Sequence, residues 1–388
     1  MTLNVVLLAL SQALAMTVVS LMLSSSALVG VALSAAPDRA TVPLAVQYLA
    51  TMLALHPLAR LSARYGRRPV FVGAALAGAA GLVLAVVGLV AGSFAVFVLS
   101  GLGVGVLGAA GQFYRFAAAE AVPPAERGQA VSLTLAGGVL AAFLGPFIAR
   151  STRDLAATPF LASFAVLVIV ALLAAALGLR LRLPVAPARD AGRPPRPLRE
   201  IVRDGRVWLA VAGGAVAYAV MGLLMTATPL AMRCAHHDFA ATATVIQWHL
   251  VAMFAPSFVT GALIGRAGVR GVMLAGGALL LGGVGVALGG AAIVDFGIAL
   301  GLVGVGWNFM YVGATTLLTD TCRDEERPAV QAFNDSVVFL AVTLATLGAG
   351  PLVDRLGWER VNLLAALPVL ALMAAIVVSR RRPAAAAA

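Results

Sequence analysis

The chain has 388 residues, of which 61% are hydrophobic and only 11% are charged, and its mean hydropathy is +1.00. A soluble globular domain carries about 25% charged residues, so this composition excludes an ordinary soluble protein. The formal net charge is +11 and all 27 basic residues are arginine, scattered over short separate segments. That scatter excludes a continuous nucleic-acid-binding surface, and we expect contact with a lipid bilayer instead.

Apolar stretches of about 20 residues recur along the chain, and each is long enough to cross the ~30 Å hydrocarbon core as a helix. The first stretch is too long for a cleaved signal peptide. The sequence therefore predicts an all-α polytopic membrane protein with twelve transmembrane helices. The predicted spans are residues 4–34, 41–59, 69–91, 93–118, 127–149, 157–181, 206–234, 240–265, 270–290, 294–319, 328–352 and 358–379.

The distribution of arginines predicts the orientation of these spans. With the N-terminus in the cytoplasm, 21 arginines fall in cytoplasmic segments and 6 on the opposite side. This asymmetry follows the positive-inside rule and predicts that both termini are cytoplasmic. Cys234 and Cys322 then lie on opposite faces of the membrane, where no disulfide can join them.

A polar segment rich in proline and arginine, residues 183–205, interrupts the apolar pattern and predicts a cytoplasmic linker. It separates an N-terminal six-helix bundle, residues 1–182, from a C-terminal six-helix bundle, residues 206–380. A short cytoplasmic tail, residues 381–388, follows. The sequence thus predicts two helical domains of equal span number.

The two halves repeat short motifs at a nearly constant offset. RYGRR at 64–68 recurs as RAGVR at 266–270, and GPFIAR at 145–150 recurs as GPLVDR at 350–355. Such repeats indicate two pseudo-symmetric bundles with a binding site at their interface, near the middle of the membrane.

The segment ARLSARYGRRP at 59–69 resembles the signature of the major facilitator superfamily, a close-packed inner loop in which an aspartate pairs with arginine. Ala63 stands at the aspartate position and Ala59 at the first glycine. The resemblance covers essentially the whole chain and implies the major facilitator fold, alternating access and a monomer. The sequence contains no nucleophile–base pair, phosphate loop or paired catalytic carboxylates, so we expect neither enzymatic activity nor a cofactor.

Sulfur and imidazole groups gather in spans 7 and 8. Met221 and Met225 are four residues apart, as are His249 and Met253, and the two pairs are mirrored about His237 in the connecting loop. In an antiparallel helix pair they would lie at matching depths, each pair on one helix face. Thioethers and imidazole suit Cu(I), so the pattern predicts a copper site at Met221, Met225, His249 and Met253.

The same spacing is similar to that of the CcoA-like branch of bacterial copper importers within the superfamily. This resemblance implies copper import across the bacterial cytoplasmic (inner) membrane for assembly of cbb3-type cytochrome c oxidase. Copper would be the substrate, not a cofactor, and copper chaperones would be downstream partners. One positive charge moving inward gains about 2.3 kcal/mol per 100 mV, so this import would not require protons.

Further polar residues flank this predicted site. Met232, Cys234, His236 and His237 in the outer loop form either a copper-capture set or an ordinary polar loop. Asp335 in span 11 is a candidate proton carrier for coupling, and its alternative role is a capped or water-exposed helix end.

Three other functions remain open from the sequence, one of which is a drug-type exporter, indicated only weakly by the pair Gly145-Pro146. An importer of a small organic compound such as riboflavin, an activity found in the same wider branch, would tolerate Met225→Leu. It would use aromatic and hydrogen-bonding residues, for which the candidates are Gln247, Trp248, Trp307, Asn308 and Tyr311. A copper-binding assembly or sensor protein would instead bind copper without transporting it.

Overall fold

The computed structural model describes residues 3–34, 36–123, 126–183, 196–323 and 326–381. Within these ranges the chain forms fourteen α-helices joined by short connections, with no strand. The helices before the predicted linker are α1 Leu3–Ser34, α2 Val42–Tyr65, α3 Arg67–Val90, α4 Phe94–Gly111, α5 Tyr114–Glu120, α6 Arg127–Thr152 and α7 Leu161–Arg180. Those that follow are α8 Leu198–Ile201, α9 Gly205–Cys234, α10 Phe239–Phe254, α11 Ser257–Ala267, α12 Val269–Ala287, α13 Ile293–Thr321 and α14 Arg327–Arg381.

Ten helical stretches of the described residues are long and apolar enough to cross a membrane. The bent pair α10–α11 adds an eleventh, and α14, with 55 residues, contains two predicted spans. Gly357 separates these two with a φ of +77°, a conformation that glycine adopts without steric cost. The predicted all-α polytopic fold is confirmed, and each predicted span matches one or two helical segments.

The eighth predicted span bends by 44° between α10 and α11, beside Pro256. Proline lacks a backbone N–H, so residue 256 cannot donate the helical hydrogen bond to the carbonyl four residues earlier. The buried side chain of Asn308 spans this break: its Nδ2 donates to the Met253 carbonyl at 2.7 Å and to Ser257 Oγ at 2.6 Å. Its Oδ1 accepts from the Thr260 hydroxyl at 2.7 Å. Both the nitrogen and the oxygen of the Asn308 side-chain amide are therefore hydrogen-bonded at the bend.

Glycines let α2 and α4 approach closely. A Cβ added at Gly105 would lie 2.5 Å from the Gln47 carbonyl oxygen, and one at Gly101 would lie 2.8 Å from the Pro43 carbonyl oxygen. The Thr51 hydroxyl joins the two helices by donating to Gln47 O at 2.9 Å and Gly105 O at 3.1 Å. Small residues at such contacts are typical of helix packing in membranes.

On the side of the membrane opposite the linker, the two halves of the chain touch. The Gly350 N–H donates to Thr41 Oγ1 at 3.3 Å, and the Thr41 hydroxyl lies 3.4 Å from the Leu347 carbonyl oxygen. The rings of Phe160 and Phe239 meet edge to face at 4.9 Å between centroids. These contacts join the two halves on this side of the molecule.

Residues 184–195 of the predicted linker and 382–388 of the predicted tail lie outside the described residues. At the end of the linker, Arg196 forms a two-pronged ion pair with Glu326, with distances of 2.7 Å and 2.9 Å. Glu326 precedes α14, so this pair attaches the linker to the C-terminal helices. The domain boundaries at residues 182 and 206 stay a prediction.

Candidate functional site

A cavity of about 140 Å³, here called the central cavity, lies between the two halves of the chain. Its lining combines side chains from α1, α2, α5 and α6 with side chains from α9, α10, α13 and α14. This is the interface that the internal repeats indicated. The two walls of the central cavity differ in chemistry.

The wall from the second half is aromatic. Trp307 and Tyr311, one turn apart on α13, are stacked with 5.3 Å between ring centroids and 12° between planes. Tyr218 on α9 meets both rings edge to face, at 5.2 Å and 4.9 Å. Phe254 and Phe339 extend this cluster. Together the rings present flat, polarisable surface on which a planar ligand can stack.

The wall from the first half carries amides and hydroxyls. Gln12, Gln47 and Gln112 line the central cavity, together with Ser20. Gln12 Oε1, Gln47 Oε1 and Ser20 Oγ are buried without a hydrogen-bond partner, as is Trp307 Nε1 on the opposite wall. An unpaired buried polar atom costs about 1–3 kcal/mol, so a ligand that supplies the missing partners is stabilised by doing so.

Three of the four predicted copper ligands lie at this cavity. Met221 and Met225 line it from α9 and Met253 lines it from α10. Met16 on α1 adds a fourth thioether from the other half. These side chains supply soft, adaptable apolar surface next to the aromatic wall.

His249 does not line the central cavity. Its side chain is 0% exposed, and Nδ1 lies 2.7 Å from the Leu300 carbonyl oxygen on α13, while Nε2 has no partner. The expected pairing of α9 with α10 is only a minor contact, because α10 packs chiefly against α13 and α6. As a result, Met253 lines the central cavity, whereas the His249 side chain lies against α13.

The electrostatics of the central cavity disfavour a cation. Arg115 is the only charged residue among its lining residues, which include no carboxylate and no histidine. The arginine charge repels a metal cation in a low-dielectric setting, and nothing in the lining compensates for it.

A second cavity of about 500 Å³ adjoins the first and lies between the linker-side helix ends of both halves. The two cavities share Arg115 and Tyr311. His56 on α2 and Asp335 on α14 line the second cavity, and Asn334 Nδ2 donates to Asp335 Oδ1 at 3.1 Å. The predicted coupling residue thus lies on the linker side of the molecule, in a cavity that also contains an arginine and a histidine.

The predicted copper-capture residues do not share one environment. Met232 is fully buried in α9, whereas Cys234 and His236 are exposed at its end. His237 Nε2 lies 2.7 Å from the Ala291 carbonyl oxygen, before α13. Copper capture by this set stays a prediction.

Of the five residues predicted for an organic ligand, only Trp307 and Tyr311 line the central cavity. Trp248 is 55% exposed on α10, and Asn308 is occupied at the bend described above. Gln247 is likewise absent from the lining. Gln12 and Tyr218 line the central cavity but were not predicted from the sequence, although an amide in an apolar span is itself a functional signal.

Known transporters are similar to this chain in sequence and in structure. The Major Facilitator Superfamily model matches residues 2–233. The riboflavin transporter RfnT of Brucella anthropi is 38% identical over 391 residues, covering 99% of this chain and 97% of that protein. The uncharacterized MFS-type transporter YdeG of Bacillus subtilis is 28% identical over 340 residues, covering 83% of this chain and 79% of that protein.

Among solved structures, the crystal structure of the nucleoside transporter NupG is similar with a TM-score of 0.74 at 13% identity. The match covers 98% of this chain and 100% of that chain, and it supports the fold alone. Helical membrane spans around a cavity between two halves define a multi-pass membrane transporter. The chain belongs to the major facilitator superfamily. These relatives give no support to the copper-importing branch, which stays a prediction.

Proposed function

We propose that this protein imports riboflavin, or a closely related planar heteroaromatic compound, by alternating access. The observation that carries this proposal is the central cavity, in which an aromatic wall faces amide and hydroxyl groups that lack partners. The name of its relative RfnT, a riboflavin transporter, supports the same substrate.

The cavity chemistry fits an uncharged ring system better than a metal ion. Stacking on Trp307 and Tyr311 provides binding energy without charge, and the unpaired polar atoms of Gln12 and Gln47 provide hydrogen-bonding partners. Thioethers pack favourably against aromatic edges, so Met221, Met225 and Met253 in the cavity lining suit an apolar ring system. In this proposal the predicted metal ligands act as apolar lining.

We place the protein in the bacterial inner membrane as a monomer with both termini in the cytoplasm. The contacts between the halves opposite the linker and the second cavity on the linker side fit an inward-facing state. A neutral substrate gains nothing from the membrane potential, so concentrating it inside requires a coupled ion or its consumption in the cytoplasm. Asp335 is our proposed proton carrier, since it lies in the second cavity on the substrate route.

The test is equilibrium binding of riboflavin to the purified protein, followed through the quenching of flavin fluorescence by stacked aromatic rings. We expect Trp307→Leu to weaken binding about tenfold or more, since stacking of a heterocycle on an aromatic side chain contributes about 1–3 kcal/mol. Trp208→Leu, at a tryptophan outside the cavity that is 49% exposed, is the matched control and should bind like the parent. Equal affinity for all three proteins would refute the proposed site.

Copper import is the second candidate, because four thioethers line one cavity. Cu(I) accepts such ligands, and their neutrality would permit release. The position of His249 and the charge of Arg115 argue against it. The copper reading requires that Met225→Leu abolish transport, whereas the riboflavin proposal does not.

A further inference from the structure

Gln47 occupies a constrained position in the wall of the central cavity. Its backbone is fixed by the α2–α4 contact, in which Gly101 and Gly105 leave no room for movement towards α4. Thr51 adds a hydrogen bond to the Gln47 carbonyl. A side chain mounted on such a packed helix is preorganised for recognition.

The Gln47 side chain is 2% exposed, lines the central cavity and carries an Oε1 atom without a partner. A primary amide offers a donor, the Nε2 hydrogens, beside an acceptor, Oε1. The matching ligand edge has a C=O beside an N–H, and the two edges join through a pair of antiparallel hydrogen bonds. Glutamine recognises the edge of adenine in DNA by the same two-bond logic.

We infer that Gln47 recognises a lactam or imide edge of the transported ring, while the face of that ring stacks on the Trp307–Tyr311 wall. This inference rests on the proposed function and narrows its substrate class. The substrates are then planar heteroaromatic compounds with a free ring N–H next to a carbonyl. Riboflavin has such an edge in its imide ring, where N3–H lies between two carbonyls.

The experiment compares the affinity of the parent for riboflavin and for N3-methylriboflavin, which keeps the ring system but lacks the N3–H donor. The parent should prefer riboflavin about tenfold or more, the equivalent of one lost hydrogen bond and one buried acceptor left unpaired. Gln47→Leu should bind the two compounds equally and bind riboflavin about tenfold more weakly than the parent. Gln129→Leu, at an exposed glutamine of α6, is the control and should keep the full preference.

Each outcome separates this inference from the proposed function. If the parent binds both flavins equally, no residue recognises the imide edge and the inference is wrong, while the proposed function survives. If Gln47→Leu keeps the preference for riboflavin, the edge is recognised elsewhere and the assignment to Gln47 is wrong. If the parent binds neither flavin, both proposals fail. The comparison within the parent needs no variant, so misfolding of Gln47→Leu leaves the inference testable.

Discussion

Substitution of Gly105 by alanine tests whether the α2–α4 contact positions the binding site. The added Cβ would lie 2.5 Å from both the Ala50 Cβ and the Gln47 carbonyl oxygen, and 2.9 Å from the Thr51 N atom. Carbon atoms pack at about 3.5–4.0 Å, so the helices must separate by about 1 Å. Two of the three obstructing atoms belong to the backbone and cannot rotate away. Overpacking of this kind costs about 1–3 kcal/mol.

We therefore expect Gly105→Ala to lower the Tm of the purified protein and to weaken riboflavin binding, because separating the helices displaces Gln47. Gly73→Ala is the matched control: Gly73 lies in α3 with no atom within 4 Å of an added Cβ. Alanine there should be neutral or stabilise the helix by up to about 1 kcal/mol. If Gly105→Ala matched Gly73→Ala in both Tm and affinity, the argument from close packing would be refuted.

Three further predictions concern orientation, the linker and the methionines. A membrane-impermeant maleimide added to intact spheroplasts should label exposed Cys234 but not buried Cys322, and labelling absent from outside would contradict the proposed orientation. The Arg196 guanidinium holds the pKa of Glu326 at about 2, below its usual 4.5, so the pair stabilises the fold above pH 4.5 and the effect disappears as the pH falls towards 2. Glu326→Gln should thus lower the Tm at pH 7, and the difference from the parent should shrink between pH 4.5 and 2; a constant difference would contradict the pairing. Met225→Leu, a volume-conserving change, should leave riboflavin uptake within about twofold of the parent, and loss of uptake would favour a ligand role for this thioether.

Hydropathy was sufficient to predict the helical spans, because each span must satisfy its own backbone hydrogen bonds within the bilayer. The breaks inside spans were less accessible from the sequence. Pro256 marks the bend between α10 and α11, but the polar partner that stabilises this bend, Asn308, lies 52 residues away and was interpreted as a candidate ligand contact. A long-range hydrogen bond of this kind leaves no periodic signal.

The structure places the four predicted copper ligands in two environments, and the reason lies in helix pairing. Met221, Met225 and Met253, which the spacing grouped together, line one cavity. The spacing could not indicate that α10 packs against α13, which directs His249 to the Leu300 carbonyl. Short loops favour neighbouring helices as partners, but tertiary packing overrides that tendency here.

The aromatic wall shows the same limit. Tyr218 and Trp307 are 89 positions apart, and only the packing of α9 against α13 brings their rings to 5.2 Å. Trp307 and Tyr311, four residues apart, were candidates from the sequence, but nothing in the sequence around Tyr218 indicates that it joins them. The methionines and His249 lie close together in the sequence, so their pattern indicated copper. The features that favour an organic substrate are distributed over six helices and form no such pattern.

The most direct test is uptake into proteoliposomes containing the purified protein, with labelled riboflavin and, separately, copper under reducing conditions. We expect saturable riboflavin uptake, which Trp307→Leu should reduce strongly and Met225→Leu should leave nearly unchanged. We expect no copper flux above that of empty liposomes. Copper flux that Met225→Leu abolishes, together with no riboflavin flux, would contradict both expectations and establish the methionines as the transport site.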